Sequence, residues 1–171
     1  MKKYLSAFVC GFGAGVMQVV PVAKSFSCCL IIPAAAFLAL VLEQKSTNNY
    51  DRIMPGKAIL VGLATGLYAA LFGSFFDLLI TFITKNNDIV ATFPEFQKMI
   101  TDFPVPLSQE MVDEILNLMR AIRDEIVNTG FSLLYAVSVF FSNLFMDTIF
   151  GMIGGLVGAQ IINNRNQKLI T

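Results

Sequence analysis

The chain alternates between long apolar runs and shorter polar stretches, and the apolar runs set its architecture. A helix needs about 20 mostly apolar residues to cross the hydrocarbon core of a bilayer. The apolar run at 131–162 is too long for one perpendicular crossing, so we expect its first turns at the interface or beyond it. The pattern predicts an all-α membrane protein with four transmembrane helices, at 4–23, 26–42, 58–83 and 136–162.

The polar segment 84–130 is the one sizeable stretch that this pattern leaves outside the membrane. We expect Pro94, Pro104 and Pro106 to break its first half into short pieces, because the residue before a proline disfavours helix. From about 107 to 128, apolar residues recur at spacings of three and four, which predicts one extramembrane amphipathic helix. Its apolar positions are Leu107, Met111, Ile115, Leu118, Met119, Ile122 and Ile126. The helix is expected to dock on the bundle, bind a partner, or lie on lipid, which its acidic polar face makes least favoured.

Basic residues predict the orientation. With four spans, the termini and the 43–57 loop fall on one side together with Lys2, Lys3, Lys45, Arg52, Lys57, Arg165 and Lys168. Short loops rich in Lys and Arg stay in the cytoplasm. We therefore expect both termini in the cytoplasm of a bacterial-type inner membrane. The first helix lacks a small-residue cleavage site, so we expect it to remain as a span rather than be removed as a signal peptide.

Composition narrows the function classes. The chain is 56% apolar and 14% charged, against roughly 25% charged residues in soluble domains, and its mean hydropathy is +0.69. The net charge of zero gives no electrostatic support for a nucleic-acid partner. The sequence contains no His, which removes the commonest metal ligand and the usual proton shuttle. We predict a lipid-embedded protein with no catalytic residues, no cofactor and no metal, and not an enzyme.

Glycine spacing is the strongest packing signal. Glycines four residues apart share a helix face and let another backbone approach closely. Four such pairs lie in the predicted spans: Gly11 and Gly15, Gly62 and Gly66, Gly151 and Gly155, and Gly154 and Gly158. These faces either join the four helices of one chain or seat a membrane-protein partner or a second copy in a homo-oligomer.

Polar residues inside the spans are the candidates for a functional site, because ionisable groups are costly in hydrocarbon. They are Gln18, Lys24, Asp77, Asn143 and Asp147. If the topology holds, Lys24 and Asp77 lie at similar depth and can pair. One interpretation is a set of polar contacts that fixes helix register. The other is an ion- or proton-binding site lined by Gln18, Asp77, Asn143 and Asp147.

The three cysteines carry no metal-site pattern, since a metal needs three or four converging ligands. Cys10, Cys28 and Cys29 are expected to act as small apolar residues. A redox or intermolecular role remains open for Cys28 and Cys29, which the topology places near the outer surface.

The order of these features resembles a known type of protein. A glycine-rich first helix ends at Pro21, the Cys28-Cys29 pair opens the second helix, and Pro55-Gly56-Lys57 precedes a small-residue run at 58–66. The motif GGLVGA at 154–159 then leads into the polar tail 163–168. Outside the 84–130 segment this resembles small prokaryotic four-span membrane proteins catalogued as domains of unknown function. The resemblance implies a four-helix inner-membrane domain and supplies no activity, ligand or site residue.

Two main functional hypotheses follow. The first is a non-enzymatic accessory or scaffolding subunit that packs through its glycine faces. The alternative is a small oligomeric transporter or channel that uses Asp77 and Asp147. A lipid-binding protein with lipid along its glycine grooves is a third possibility.

Overall fold

The protein is all α-helical in a computed structural model, which describes residues 4–101 and 108–168 apart from the side chains of Cys28, Thr101 and Lys168. The described residues form seven α-helices: α1 Leu5–Gln18, α2 Pro21–Lys24, α3 Ile32–Thr47, α4 Pro55–Thr84, α5 Asp88–Thr101, α6 Gln109–Thr129 and α7 Leu133–Lys168. A π-helical stretch, Ser27–Ile31, leads directly into α3. Lys2, Lys3, Pro104, Pro106 and Leu107, on which some of the sequence-based expectations rest, lie outside the described residues.

Three helices are long and apolar enough to cross a membrane, and they account for three of the four predicted spans. They are Cys29–Thr47, Pro55–Thr84 and Leu133–Gln167. The fourth apolar helix, α1, is shorter at 14 residues. The long apolar run near the end of the chain is one continuous helix of 36 residues, which at 1.5 Å per residue is about 54 Å long.

The first predicted span differs from the structure because α1 ends at Gln18 rather than continuing to residue 23. Pro21 has no backbone N–H, so it cannot donate to the carbonyl of Met17 as a helical residue would. The N–H of Val20 donates to that carbonyl instead, at 3.2 Å, and tightens the last turn. Pro21 then occupies the first position of α2, where a missing N–H costs nothing.

The chain forms two compact units, which are described separately. The first comprises the residues up to Asp77 and those from Val139 onward, and the second is Leu78–Ser138. The first unit contains α1 to α3, most of α4 and most of α7. The second contains α5 and α6, with the last turns of α4 and the first turns of α7.

Close contacts between helix backbones hold the first unit together on the two sides of α4. A Cβ at Gly62 would collide with the backbone of Gly151, and one at Gly66 would collide with the backbone of Asp147. On another face of α4, a Cβ at Gly11 of α1 would lie 2.7 Å from the carbonyl oxygen of Thr65. Helix α4 therefore lies between α7 and α1, and small residues permit both contacts.

Helix α3 completes the ring of four helices. Its Pro33 lies against Gly154 of α7, and its Phe37 lies against Gly158. It also packs against α1. Two apolar clusters fill the interior, one around Leu40 and Val61 and the other around Ala14 and Ile32. Around the first unit, the packing order is α1, α4, α7, α3 and back to α1.

All eight glycines singled out from the sequence thus contact other helices of the same chain. The structure uses these faces to build the bundle, which leaves none of the eight available for a partner. Gly13, the other glycine of α1, lies exposed, and a Cβ added there would meet no atom within 4 Å.

The second unit holds a continuous helix where the sequence predicted a break at Pro94. Helix α5 runs through Pro94 without ending. Its start is capped by Asn87, whose Oδ1 accepts a hydrogen bond from the N–H of Val90 at 3.0 Å, and Phe93 is buried with only 6% of its surface exposed. The guanidinium of Arg123 on α6 lies 5.0 Å from the centre of the Phe93 ring. Packing against α6 offsets the hydrogen bond that Pro94 removes.

Helix α6 begins and ends at strong caps. The Ser108 hydroxyl accepts from the N–H of Met111 at 3.3 Å, and Gly130 takes a φ of +81° at the other end. That left-handed conformation favours glycine, and a Cβ at Gly130 would lie 2.7 Å from the carbonyl oxygen of Phe82. The end of α6 is therefore fixed against the last turns of α4.

The buried face of α6 matches the predicted one in part, since Ile115 and Met119 are half-buried beside the buried Ile122 and Ile126. Leu116, Ile122 and Ile126 are buried, whereas the predicted apolar-face residues Met111 and Leu118 are 50% and 51% exposed. The buried residues follow one stripe at helical period, and the two exposed ones project away from it. The sequence pattern is ambiguous because apolar residues occur on more than one side of the helix.

Replacing Gly11 by Ala should destabilise the first unit, and replacing Gly13 by Ala should not. The added methyl at Gly11 meets the backbone of α4, and overpacking of this kind costs about 1–3 kcal/mol. At Gly13 the methyl meets nothing, and the higher helix propensity of Ala stabilises by up to about 1 kcal/mol. The measurement is the thermal stability of each purified variant in detergent, and equal stabilities would contradict this packing.

Candidate functional site

The five polar residues singled out from the sequence form three pairs, each of which joins two different helical segments. Gln18 donates from Nε2 to Oδ2 of Asp147 at 2.6 Å. Asn143 donates from Nδ2 to the hydroxyl of Ser74 at 3.0 Å. The Nζ of Lys24 lies 3.1 Å from Oδ1 of Asp77. The structure thus brings all five sequence-predicted residues into direct polar contacts.

The contact between Gln18 and Asp147 is the most deeply buried of the three. Asp147 is 4% exposed and Gln18 is 8% exposed. Gln18 is the last residue of α1, and it reaches across to α7, which is not a neighbour of α1 in the glycine contacts. Gly73 makes this possible, because a Cβ there would collide with Oε1 of Gln18.

The contact between Lys24 and Asp77 is more accessible. The Lys24 side chain is 41% exposed and that of Asp77 is 15% exposed. The predicted proximity of these two residues is confirmed. A partly exposed ion pair of this kind contributes about 0–1 kcal/mol. Since Asp77 has a cationic neighbour, its negative charge is compensated locally.

A fourth polar contact, at the other end of the first unit, is one that sequence reasoning missed. Glu43 of α3 has a side chain only 3% exposed, and its Oε1 lies 3.1 Å from Nζ of Lys57. Glu43 follows directly on the predicted span 26–42 and stands beside polar residues, a context that favours a solvent-facing position. A signal was present, since Ala36, Ala39, Leu40 and Glu43 follow the spacing of one buried helix face.

Asn163 makes a two-point contact at this same end. Its Oδ1 accepts from the N–H of Ile53 at 2.9 Å, and its Nδ2 donates to the carbonyl of Ile53 at 3.0 Å. The nearby Asn166 donates to the carbonyl of Tyr50 at 3.2 Å. These amides fix the loop between α3 and α4 to the end of α7. From the sequence alone, both residues belong to a polar tail with no assigned contact.

Within the described part of the chain, no group of three His, Cys, Asp or Glu side chains is placed to hold a metal ion. Cys10 is half-buried and packs against both apolar clusters, as a small apolar side chain does. Cys29 lies exposed in the π-helical stretch, and the side chain of Cys28 lies outside the described residues. The candidate site is therefore the inner polar cluster, defined as Gln18, Ser74, Asn143 and Asp147.

The buried carboxylate of Asp147 and the amide of Gln18 should be energetically coupled. Gln18→Leu leaves a buried acceptor without its donor, which costs about 1–3 kcal/mol. The double variant Gln18→Leu/Asp147→Leu should lose less than the sum of the two single variants, with a coupling of about 0.6–1.7 kcal/mol. Unfolding of the four proteins in detergent or bicelles measures it. Asp77→Asn, at the accessible ion pair, is the control and should cost about 0–1 kcal/mol. Strict additivity of the two single variants would show that this contact contributes nothing.

The comparisons with known proteins assign no function to the chain. No family model, no curated protein and no solved structure matches the chain. The chain's own contacts therefore carry the functional argument.

Proposed function

We propose that the chain is a four-span integral membrane protein with both termini in the cytoplasm, and that it acts as a non-enzymatic accessory or scaffolding subunit. The three long apolar helices support membrane embedding. The fourth span is α1 extended through α2. Residues 5–24 together match the roughly 20 residues that a crossing requires, and α1 packs at the depth of α3 and α4 through Gly11 and Ala14.

The observation that carries the accessory role is that the glycine faces and the inner polar cluster of the bundle are occupied by contacts within the chain. Its glycine faces contact its own helices, and its inner polar side chains pair with one another. A bundle of this kind holds the chain in the membrane without using its glycine faces to bind another protein. Contacts with other proteins then fall to surfaces outside the glycine faces.

The surface best suited to a partner is the exposed side of α6. Among the described residues it carries the exposed acidic side chains Glu110, Asp113, Glu114, Asp124 and Glu125. Met111 and Leu118 lie exposed among them. Apolar anchors within a charged surface are typical of protein–protein contacts. On the proposed topology this surface lies outside the cytoplasm and presents negative charge to the partner.

A second candidate function is a small oligomeric transporter or channel. The observation that favours it is the burial of Asp147, whose hydrogen-bond donor is a neutral amide rather than a cation. Ionisable residues within membrane helices commonly mark ion or proton pathways. Asp77 supports this function less, because Lys24 pairs with it.

Native mass determination after gentle-detergent purification from the native membrane decides between the two. The accessory role predicts a stoichiometric foreign subunit. Reversing the charge of α6 with Glu110→Lys, Asp113→Lys and Glu114→Lys should release that subunit while the bundle stays monodisperse. Gly13→Ala, which alters no contact, is the matched control and should retain it. A homo-oligomer without any foreign subunit would contradict the accessory role and support the transporter.

Reporter fusions test the topology separately. A fluorescent protein that folds only in the cytoplasm should be active at both termini, and alkaline phosphatase, which is active only outside, should be active when inserted after residue 86. This insertion point lies in the polar turn between α4 and α5. Opposite activities for the two termini would require an odd number of spans, so that α1 would not cross the membrane.

A further inference from the structure

Three exposed basic residues lie at the end of the first unit where α3 and α7 end, and we call them the basic rim. They are Lys45 of α3, Arg52 of the following loop and Arg165 of α7. Within the described part of the chain, none of these three side chains takes part in an ion pair or a hydrogen bond. Lys57 lies at the same end, but Glu43 compensates its charge. The basic rim therefore presents positive charge that no described carboxylate pairs with.

Hydrogen bonds to the loop between α3 and α4 bring the three positions of the basic rim to one region. Gln44 of α3 donates to the carbonyl of Asp51 at 3.3 Å, and Asn163 of α7 bonds both backbone groups of Ile53. Arg52 lies between these two loop residues, and the other members of the rim lie one and two residues from the two amide side chains. Asp51 is the one acidic residue of the loop, so the region keeps a net positive charge.

Two members of the basic rim share a helix face with an exposed apolar residue of a candidate span. Leu42 is 41% exposed and lies three residues before Lys45 on α3, and Ile161 is 53% exposed and lies four residues before Arg165 on α7. Residues at these spacings are neighbours on the helix surface. On the proposed membrane placement the apolar residues face acyl chains, so each basic side chain lies one turn, about 5.4 Å, nearer the headgroups. The exposed ring of Tyr50 in the loop is also typical of this interface.

We propose that the basic rim binds the phosphate of an anionic phospholipid whose acyl chains contact the exposed apolar residues one turn further into the membrane. Lys and Arg form charge-assisted hydrogen bonds with phosphate oxygens, and the cytoplasmic leaflet supplies anionic lipid. An acidic protein would match the charge, but it would not reach apolar residues that lie within a span. A lipid satisfies both features with one molecule.

This inference rests on the proposed membrane placement and is independent of the accessory role. Lipid affinity is measured on the isolated chain, so the result depends neither on a foreign subunit nor on the side of the membrane on which the termini lie. Absence of a foreign subunit would leave the lipid preference intact, and absence of the lipid preference would leave the accessory role intact.

The second unit offers a matched pair of basic residues in different surroundings. Lys98 of α5 and Arg120 of α6 are exposed, and neither helix is among the candidate spans. Glu95 lies three residues before Lys98, and Asp124 lies four residues after Arg120. The exposed neighbours at these spacings are thus acidic where those of the basic rim are apolar. Removing this pair changes the net charge of the chain by the same amount as removing Lys45 and Arg165.

The experiment titrates the full chain, purified in a nonionic detergent, with phosphatidylglycerol or with phosphatidylcholine of the same acyl chains, and native mass spectrometry measures the bound lipid. The wild type should bind phosphatidylglycerol more tightly. Lys45→Gln/Arg165→Gln should weaken that binding by roughly 25-fold, since each basic residue near an anionic headgroup contributes a factor of about five, and should leave phosphatidylcholine binding unchanged. The control Lys98→Gln/Arg120→Gln should bind phosphatidylglycerol as the wild type does.

A second variant and two competitors complete the test. Lys45→Arg/Arg165→Lys keeps both charges and should keep the lipid preference, which separates lost charge from altered folding. Glycerol 1-phosphate, which has no acyl chains, and polyglutamate, an acidic polypeptide, should not displace the lipid at equal concentration of negative charge. The proposal is overturned if the two lipids bind equally, or if both Gln double variants lose binding to the same extent. It is also overturned if the charge-conserving variant loses the preference, or if either competitor displaces the lipid, which would assign the basic rim to free phosphate or to an acidic protein.

Discussion

The close approach of α4 and α7 is the contact on which the rest of the first unit depends. In lipid, apolar side chains gain nothing by leaving the solvent, so helices associate through close packing. The Gly62 and Gly66 face of α4 lies directly on the backbone of α7 at Gly151 and Asp147. Side chains at these positions would separate the two helices and remove the dispersion contacts that hold them together.

This contact also places the polar groups. Because Gly66 lies on the backbone of Asp147, α7 presents that residue at the interface with α4 instead of toward lipid. Gly73, two turns further along α4, leaves room for Gln18 to cross from α1. The hydrogen bond between Gln18 and Asp147 therefore requires glycines on a helix that contributes neither partner. The same small residues that permit close packing also determine which polar side chains can meet.

The sequence predicts the class of fold better than it predicts which helices and which side chains contact one another. Glycines four residues apart show which face of a helix another backbone can approach closely, but they do not say which helix packs there. The position of both residues near the ends of the predicted spans suffices to predict the contact between Lys24 and Asp77. It does not suffice for Gln18 and Asp147, whose contact depends on the order of helices around the ring. Pro94 by itself predicts a helix break, whereas the packing of Phe93 against α6 keeps α5 continuous.

Glu43 and Asp147 are both buried in the first unit, but they differ in the partner that faces the carboxylate. A carboxylate beside polar residues at a span end is expected in water, which is why sequence reasoning missed Glu43, yet Lys57 allows it to be buried. Its Oε1 has a cation within the chain, whereas its Oε2 is buried without a hydrogen-bond partner among the described residues. Asp147 is buried to a similar extent without a cation as its hydrogen-bond partner. Its hydrogen-bond donor, Gln18, is the last residue of α1 before Pro21 ends that helix. The two carboxylates therefore differ in the partner that accompanies their burial, which is a cation for Glu43 and a neutral amide for Asp147.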